Sequence, residues 1–223
     1  MKRILFGLIV GVIGTGILVS LGTWQIQRLD WKEGILAEIE ARIDQPAVAL
    51  PETPNNPRDK YLAVEFSGRL YGEPLRVLAS KKFVGAGYRV IAPVAVGDRA
   101  LMVDLGFVRL DDAFTLNNDL VTIRGNIHWP DEVDGYTPEP DLNTNIWFAR
   151  DADAMSNVLE TEGFLIVASQ VSPDIENISP MRIDTGDIPN DHFNYAMTWF
   201  SLALIWALMT TLFIWRNRNA KKA

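Results

Sequence analysis

Two uncharged apolar runs bracket this chain, from Ile4 to Leu21 and from Tyr195 to Trp215. At a helical rise of about 1.5 Å per residue they span ~27 Å and ~31 Å, enough to cross a hydrocarbon core of roughly 30 Å. Inside lipid every backbone N–H and C=O must pair within its own segment, so both runs are expected as helices. Lys2 and Arg3 ahead of the first run would also suit a cleaved signal peptide. The run is long for one, no A-x-A site follows, and it leads into Trp24, Arg28 and Trp31, which suit a membrane–water interface. A retained span is therefore expected.

Charge gives these spans a direction. The net charge is −7, and all 28 acidic residues lie between Asp30 and Asp191. The ends carry only positive charge, at Lys2 and Arg3 and at Arg216, Arg218, Lys221 and Lys222. Both termini are then expected on the cytoplasmic side, with the acidic middle beyond the bilayer. Such a middle offers phosphate no basic face, so nucleic acid is excluded as a partner and the lipid bilayer becomes the first one. The chain has no cysteine, which rules out disulfide staples and thiolate metal sites. Gly7 and Gly11 form a small-xxx-small pair that Gly14 extends, and Ala203 and Ala207 give the second run a comparable groove, so the spans are expected to pair as a hairpin.

The middle changes character along its length. Ile35, Leu36, Ile39 and Ile43 keep helical spacing until Pro46, after which prolines up to Pro57 predict an extended linker. From Tyr61 the period becomes two. YLAVEFSGRLY, PLRVLASKK, YRVIAPVAV, ALMVDLGFVRL, LVTIRGNIHW, NIWFA and FLIVASQ read as short strands, with one helix near Asp151 to Leu159 and a hairpin turn at GDR. The expected fold is a two-helix transmembrane hairpin flanking a mainly antiparallel β domain, a sandwich or partly closed barrel. In segments, this gives an N-terminal span in 1–27, a juxtamembrane helix and Pro-rich linker in 28–60, and an exported β-rich domain in 61–190. A C-terminal span in 191–215 and a basic cytoplasmic tail in 216–223 follow.

Motifs for nucleotide, hydrolase or metalloprotease chemistry are absent. GAGY at Gly85–Tyr88 lacks the third glycine of a dinucleotide loop and reads as a turn. The acidic stretch PDEVDGYTPEPD lacks calcium-loop spacing and reads as a solvated loop. His128, ahead of Asp131 and Glu132, has the neighbours of a general base but no identifiable nucleophile. His192 has different company. His192, Tyr195 and Trp199 share one helix face, and Trp24, Arg28 and Trp31 form a stripe at the corresponding depth of the other span. Converging, these would suit a flat, anionic, partly apolar ligand: imidazole for iron, rings for a macrocycle, Arg28 for a propionate. Interfaces also collect Trp, Tyr and Arg without any ligand.

Three stretches resemble motifs of the surfeit-locus (Surf/Shy) family of cytochrome c oxidase assembly factors. Gly22, Trp24, Gln25, Arg28, Trp31 and Lys32 match G-x-W-Q-x-x-R-x-x-W-K. Gly87, Tyr88, Val90 and Pro93 match G-Y-x-[VI]-x-x-P. Asn190, His192, Tyr195, Ala196, Thr198, Trp199 and Phe200 match N-x-H-[LF]-x-Y-A-x-T-W-F. Where that family has V-N-R-G-W-V this chain has VDLGFV, so Leu105 stands in place of the arginine and Phe107 in place of the tryptophan, with Arg109 nearby.

The resemblance implies a non-enzymatic factor that helps haem a enter oxidase subunit I, with subunit I and other assembly factors as partners. It further implies haem a binding around His192, Tyr195, Trp199, Trp24, Gln25 and Arg28, with His192 as the metal ligand. Without a presequence ahead of the first span, a bacterial inner membrane is the expected location, with the central domain periplasmic. The alternative is a haem-free scaffold that stabilises an oxidase intermediate by protein contacts.

Overall fold

The computed structural model describes residues 2–185 and 190–219. Along the chain run α1 (Lys2–Ile43), β1 (Val48–Ala49), β2 (Ala63–Leu70), β3 (Leu75–Lys81), β4 (Gly85–Val96) and β5 (Arg99–Arg109). They are followed by β6 (Leu120–His128), β7 (Ile146–Trp147), α2 (Ala152–Leu159), β8 (Leu165–Ser172) and α3 (His192–Asn219). The chain forms two compact units, one of the two terminal helices and one spanning Ile39–Asp184. Residues 186–189 of the expected β-rich domain and the tail residues 220–223 lie outside the described residues; residues 216–219 continue α3.

In the β unit the neighbours β2-β6-β8-β5-β4 close on themselves, because β2 also pairs β4 through Arg69↔Ala95 and Leu70↔Val94. The result is a closed five-stranded barrel, one step beyond the partly closed form expected. Gly68 permits the closure: a Cβ there would stand 2.5 Å from Val94 Cγ1. Within the barrel only the β5–β8 pair is parallel. β3 extends the sheet outside β4, and the two-residue strands β7 and β1 add parallel edges to β3 and β2.

Alternation along the strands divides the core in two. Val90, Ala92, Leu101, Val103, Leu105, Ile123 and Ile166 fill the barrel. Their chain neighbours Ile91, Met102, Leu165 and Val167 face outward and meet Met155 and Leu159 of α2 together with Trp147. Asp151 caps α2, its carboxylate accepting from Ala154 N at 2.9 Å. β5 is thus buried on both faces, which explains a strand with hardly any polar alternation.

The register of β4 on β5 slips by one residue at Leu105, between Val90↔Gly106 and Ile91↔Asp104. This bulge keeps both Leu105 and Val108 in the barrel interior. It also requires Gly106, which sits at φ +126° with Ser179 O only 2.2 Å from where a Cβ would be. Phe107 and Ser179 then exchange backbone hydrogen bonds of 2.8 and 2.9 Å, tying the return segment to the barrel.

Two local expectations need correction. GAGY, expected as a turn, opens β4, because Gly87 pairs with Arg109 where a Cβ would lie 2.1 Å from Val108 O. NIWFA, expected as a full strand, contributes only Ile146–Trp147, since β3 accepts it over just two pairs.

In the helical unit α1 and α3 run antiparallel. Added Cβ atoms at Gly7, Gly11, Gly14 and Gly22 would stand 2.7, 2.1, 2.4 and 2.7 Å from Phe213, Thr210, Trp206 and Phe200. The small residues read from sequence as a packing face are where the helices meet, with Ala203 buried between them. Away from this seam the apolar side chains face outward, Phe6 at 70 % exposure and Leu204 at 62 %. Both helices are long and apolar enough to cross a membrane.

Candidate functional site

The helix pair brings His192 to Gln25. His192 Nδ1 lies 2.8 Å from Gln25 Oε1, and Gln25 is only 9 % exposed although it sits in a helix of outward-facing apolar side chains. Gly22, one turn earlier, lets Phe200 press against α1 and brings this end of the helices close. α3 begins at His192 itself, and the first-turn bond Tyr195 N to Asp191 O is 3.1 Å. An amide oxygen only accepts, so in the neutral imidazole this contact selects the tautomer with the proton on Nδ1 and the lone pair on Nε2. An imidazole with its second nitrogen anchored in this way is oriented to act as a metal ligand.

Among the described residues, no side-chain hydrogen bond or ring contact joins the other residues named from sequence to this pair. Arg28 lays its guanidinium 3.9 Å over the Trp31 ring centroid, a cation–π contact along one helix. Trp24 and Tyr195 are more than half exposed, and Trp199 is half-buried. Among the described residues the ring pairs are Tyr61–His128 and Trp129–Phe164, so the indoles do not stack on the imidazole of His192. The structure therefore joins Gln25 to His192 and Arg28 to Trp31, and leaves Trp24 and Tyr195 as open faces.

Among the described residues no three His, Cys, Asp or Glu side chains gather as a metal cage. A haem carries ring nitrogens of its own and would ask the protein for a donor to iron, apolar surface and a cation for its propionates. A single anchored imidazole, open aromatic faces and Arg28 fit that demand. Bound there, haem would supply the iron, while His192 and Arg28 would hold it and the chain would supply orientation and charge.

His128 has a different setting. Its ring stacks on Tyr61 with centroids 5.5 Å apart, and its Nδ1 is buried without a hydrogen-bond partner. Burial, followed by the positive charge of Arg150, pushes its pKa down to about 4, so it is neutral at pH 7. Glu132, the carboxylate that sequence placed near it, is bonded to the backbone N and guanidinium of Arg150 instead. Two further acids of the 130–141 loop are likewise taken up locally. Asp134 caps Tyr136 and Thr137, and Asp141 caps Asn143 and Thr144.

Sequence reading missed the ion network beside it. Asp104, fully buried in β5, accepts from Arg89 Nε at 2.5 Å and from Gly106 N at 3.1 Å, and lies 3.6 Å from Arg150 Nη1. Arg89 also donates to Met181 O at 2.7 Å, clamping the return segment. The available signal was an aspartate inside the apolar run ALMVDLGFV, since a charge buried on both faces needs partners. Leu105, in place of the family arginine, fills the barrel core, and Arg109 is exposed at the strand end rather than taking its position.

Comparison with known proteins gives one consistent result. A family model described as "SURF1 family" matches residues 12–204, which takes in the barrel, most of the first helix and the start of the last. The SURF1-like protein of Rickettsia felis is 30% identical over 213 residues, covering 84% of this chain and 88% of that protein. The SURF1-like protein of Rickettsia conorii is 30% identical over 226 residues, covering 91% and 88%. Surfeit locus protein 1 of Xenopus tropicalis is 27% identical over 236 residues, covering 91% and 72%. With its motifs, its two apolar helices and nearly its whole length matched, the chain belongs to the SURF1 family.

Proposed function

We propose that this chain is a membrane-tethered assembly factor for haem–copper cytochrome c oxidase that holds haem a transiently at His192 and helps place it in subunit I. In this reading α1 and α3 cross a bacterial inner membrane, both termini are cytoplasmic, and the barrel works in the periplasm with subunit I and other assembly factors. It acts as a carrier and not as an enzyme. The observation that carries the reading is the 2.8 Å bond between His192 Nδ1 and Gln25 Oε1, which in the neutral ring would leave Nε2 the lone pair that iron ligation needs. Arg28 offers a propionate the edge of its guanidinium, and Trp24 and Tyr195 offer ring faces to a macrocycle. A carrier must also release its cargo, and an open site with one anchored ligand suits transfer better than an enclosed pocket.

One observation favours a second reading. The same Gln25–His192 bond joins two apolar helices across their seam, and an interhelical hydrogen bond of that kind needs no cargo to explain it. The chain would then be a haem-free scaffold that stabilises an oxidase intermediate. The two readings part in a strain lacking its own copy of this chain. Complementation with the wild type is expected to restore oxidase containing haem a. His192→Ala is expected to leave subunit I present but short of haem. If His192→Ala restores haem a to subunit I as fully as the wild type, the carrier reading falls and the scaffold reading stands.

A further inference from the structure

The turn between β3 and β4 is unlike the rest of the barrel surface. Val84 N donates to Lys81 O at 3.0 Å, closing a tight turn with Lys82 and Phe83 at its centre. Phe83 sits at φ +64°, the left-handed region that turns usually reserve for glycine or asparagine. It is also 98 % exposed, and Val84 beside it is 40 % exposed. Here a strained backbone carries a large apolar ring straight into solvent, with no contribution to the core. Two lysines accompany it. Lys82 Nζ lies 5.6 Å from the Phe83 ring centroid, and Lys81 Nζ donates to Ser179 Oγ at 3.1 Å. In a chain whose middle is strongly acidic, this tip concentrates positive charge around an aromatic wedge.

We propose that the β3–β4 hairpin tip, Lys81 to Gly85, is a lipid-contact element that enters the anionic headgroup layer, with Phe83 and Val84 as the apolar wedge and Lys82 as the phosphate partner. This rests on the reading that the chain's two apolar helices lie in a bilayer. A narrow convex tip cannot supply the roughly 800 Å² per partner that a stable protein interface uses. A headgroup layer has no such requirement, because a single ring can sink among lipid chains while an adjacent ammonium stays at phosphate level. Lysine near an anionic surface adds an attraction that weakens with salt. A glycine at position 83 would relax the turn and remove the wedge.

The absence of cysteine makes the test direct. The full chain carrying Phe83→Cys is labelled with an environment-sensitive fluorophore and reconstituted into vesicles of phosphatidylcholine with phosphatidylglycerol. Tyr136→Cys, at a residue 95 % exposed in the acidic loop, serves as the solvent control. Leu204→Cys, on the outward face of α3, reports the span itself. The proposal expects blue-shifted emission and several-fold stronger quenching by brominated lipid at position 83 than at 136. It also expects the difference to shrink with Lys82→Glu or without phosphatidylglycerol. If position 204 is quenched and position 83 is as water-like as 136, the hairpin proposal is overturned while the membrane reading stands. If position 204 is not quenched, the membrane reading fails and takes this proposal with it. A label at 83 that is shielded only when oxidase subunits are added would assign the tip to a protein partner and overturn the lipid assignment.

Discussion

The chain's two histidines occupy opposite kinds of site, and the difference separates a packed imidazole from an oriented one. His128 belongs to the barrel, stacked on Tyr61, with Nδ1 buried and unpartnered and its pKa held near 4 by burial and by Arg150. His192 belongs to the helix pair, half-buried, with Nδ1 fixed by Gln25. A ring that is packed but not oriented contributes contact area. When one nitrogen is anchored, the other can be offered to a metal. The same contrast runs through the two units. The barrel buries its apolar side chains against one another and pairs its internal charges, while the helices direct theirs outward and touch along a seam of glycines.

Variants should separate these units in graded steps. Asp104→Ala leaves Arg89 and Arg150 facing each other in a buried site without their shared carboxylate, and is expected to destabilise the barrel by about 3–5 kcal/mol. Near-UV circular dichroism during urea unfolding would show it, while the far-UV signal of the helices persists. His128→Phe keeps the stacking and removes a titration. The folded pKa of about 4 lies below the ordinary histidine value, so between the two the unfolded chain binds a proton that the folded chain refuses. Stability is therefore expected to fall as pH drops from about 6.5 to 4, by about 3 kcal/mol at most, and to level off below. In His128→Phe that part of the slope should vanish, which unfolding midpoints across this pH range would reveal.

Smaller effects are expected at the helix pair. Gln25→Leu keeps the volume but frees His192 to change tautomer, and should weaken haem a binding about 10–100-fold without altering barrel stability. Titration of the purified chain with haem a measures this directly, and an unchanged affinity would mean that the bond is only a helix clasp. Gly11→Leu drives a side chain into Thr210, whose Cγ2 would stand 2.1 Å from the first added carbon. The helix pair should splay at a cost of about 1 kcal/mol, seen as longer spin-label distances across the seam with barrel unfolding unchanged.

Much of the fold was legible because local pattern and tertiary role agree. β2 and β6 alternate as half-exposed strands should, α2 starts at its Asp151 cap, and the seam glycines keep small-xxx-small spacing. Legibility ended where a residue's meaning depends on a distant one. The barrel closes through Leu70↔Val94 and through the parallel β5–β8 pair, neither of which leaves a local trace. β1 and β7 are too short to show a period. Gln25 was named only through a family motif, since its partner lies 167 residues away on the other helix. Asp104 was passed over although it is a polar residue in an apolar run, and its two arginines come from other parts of the β unit.

The comparison of the two histidines can be tested in one measurement: absorption spectra of the purified full chain from cells that make haem a, alongside His192→Ala and His128→Ala. The account predicts haem a bound to the wild type and to His128→Ala, and lost from His192→Ala. Haem a retained in His192→Ala, or lost only in His128→Ala, would contradict it.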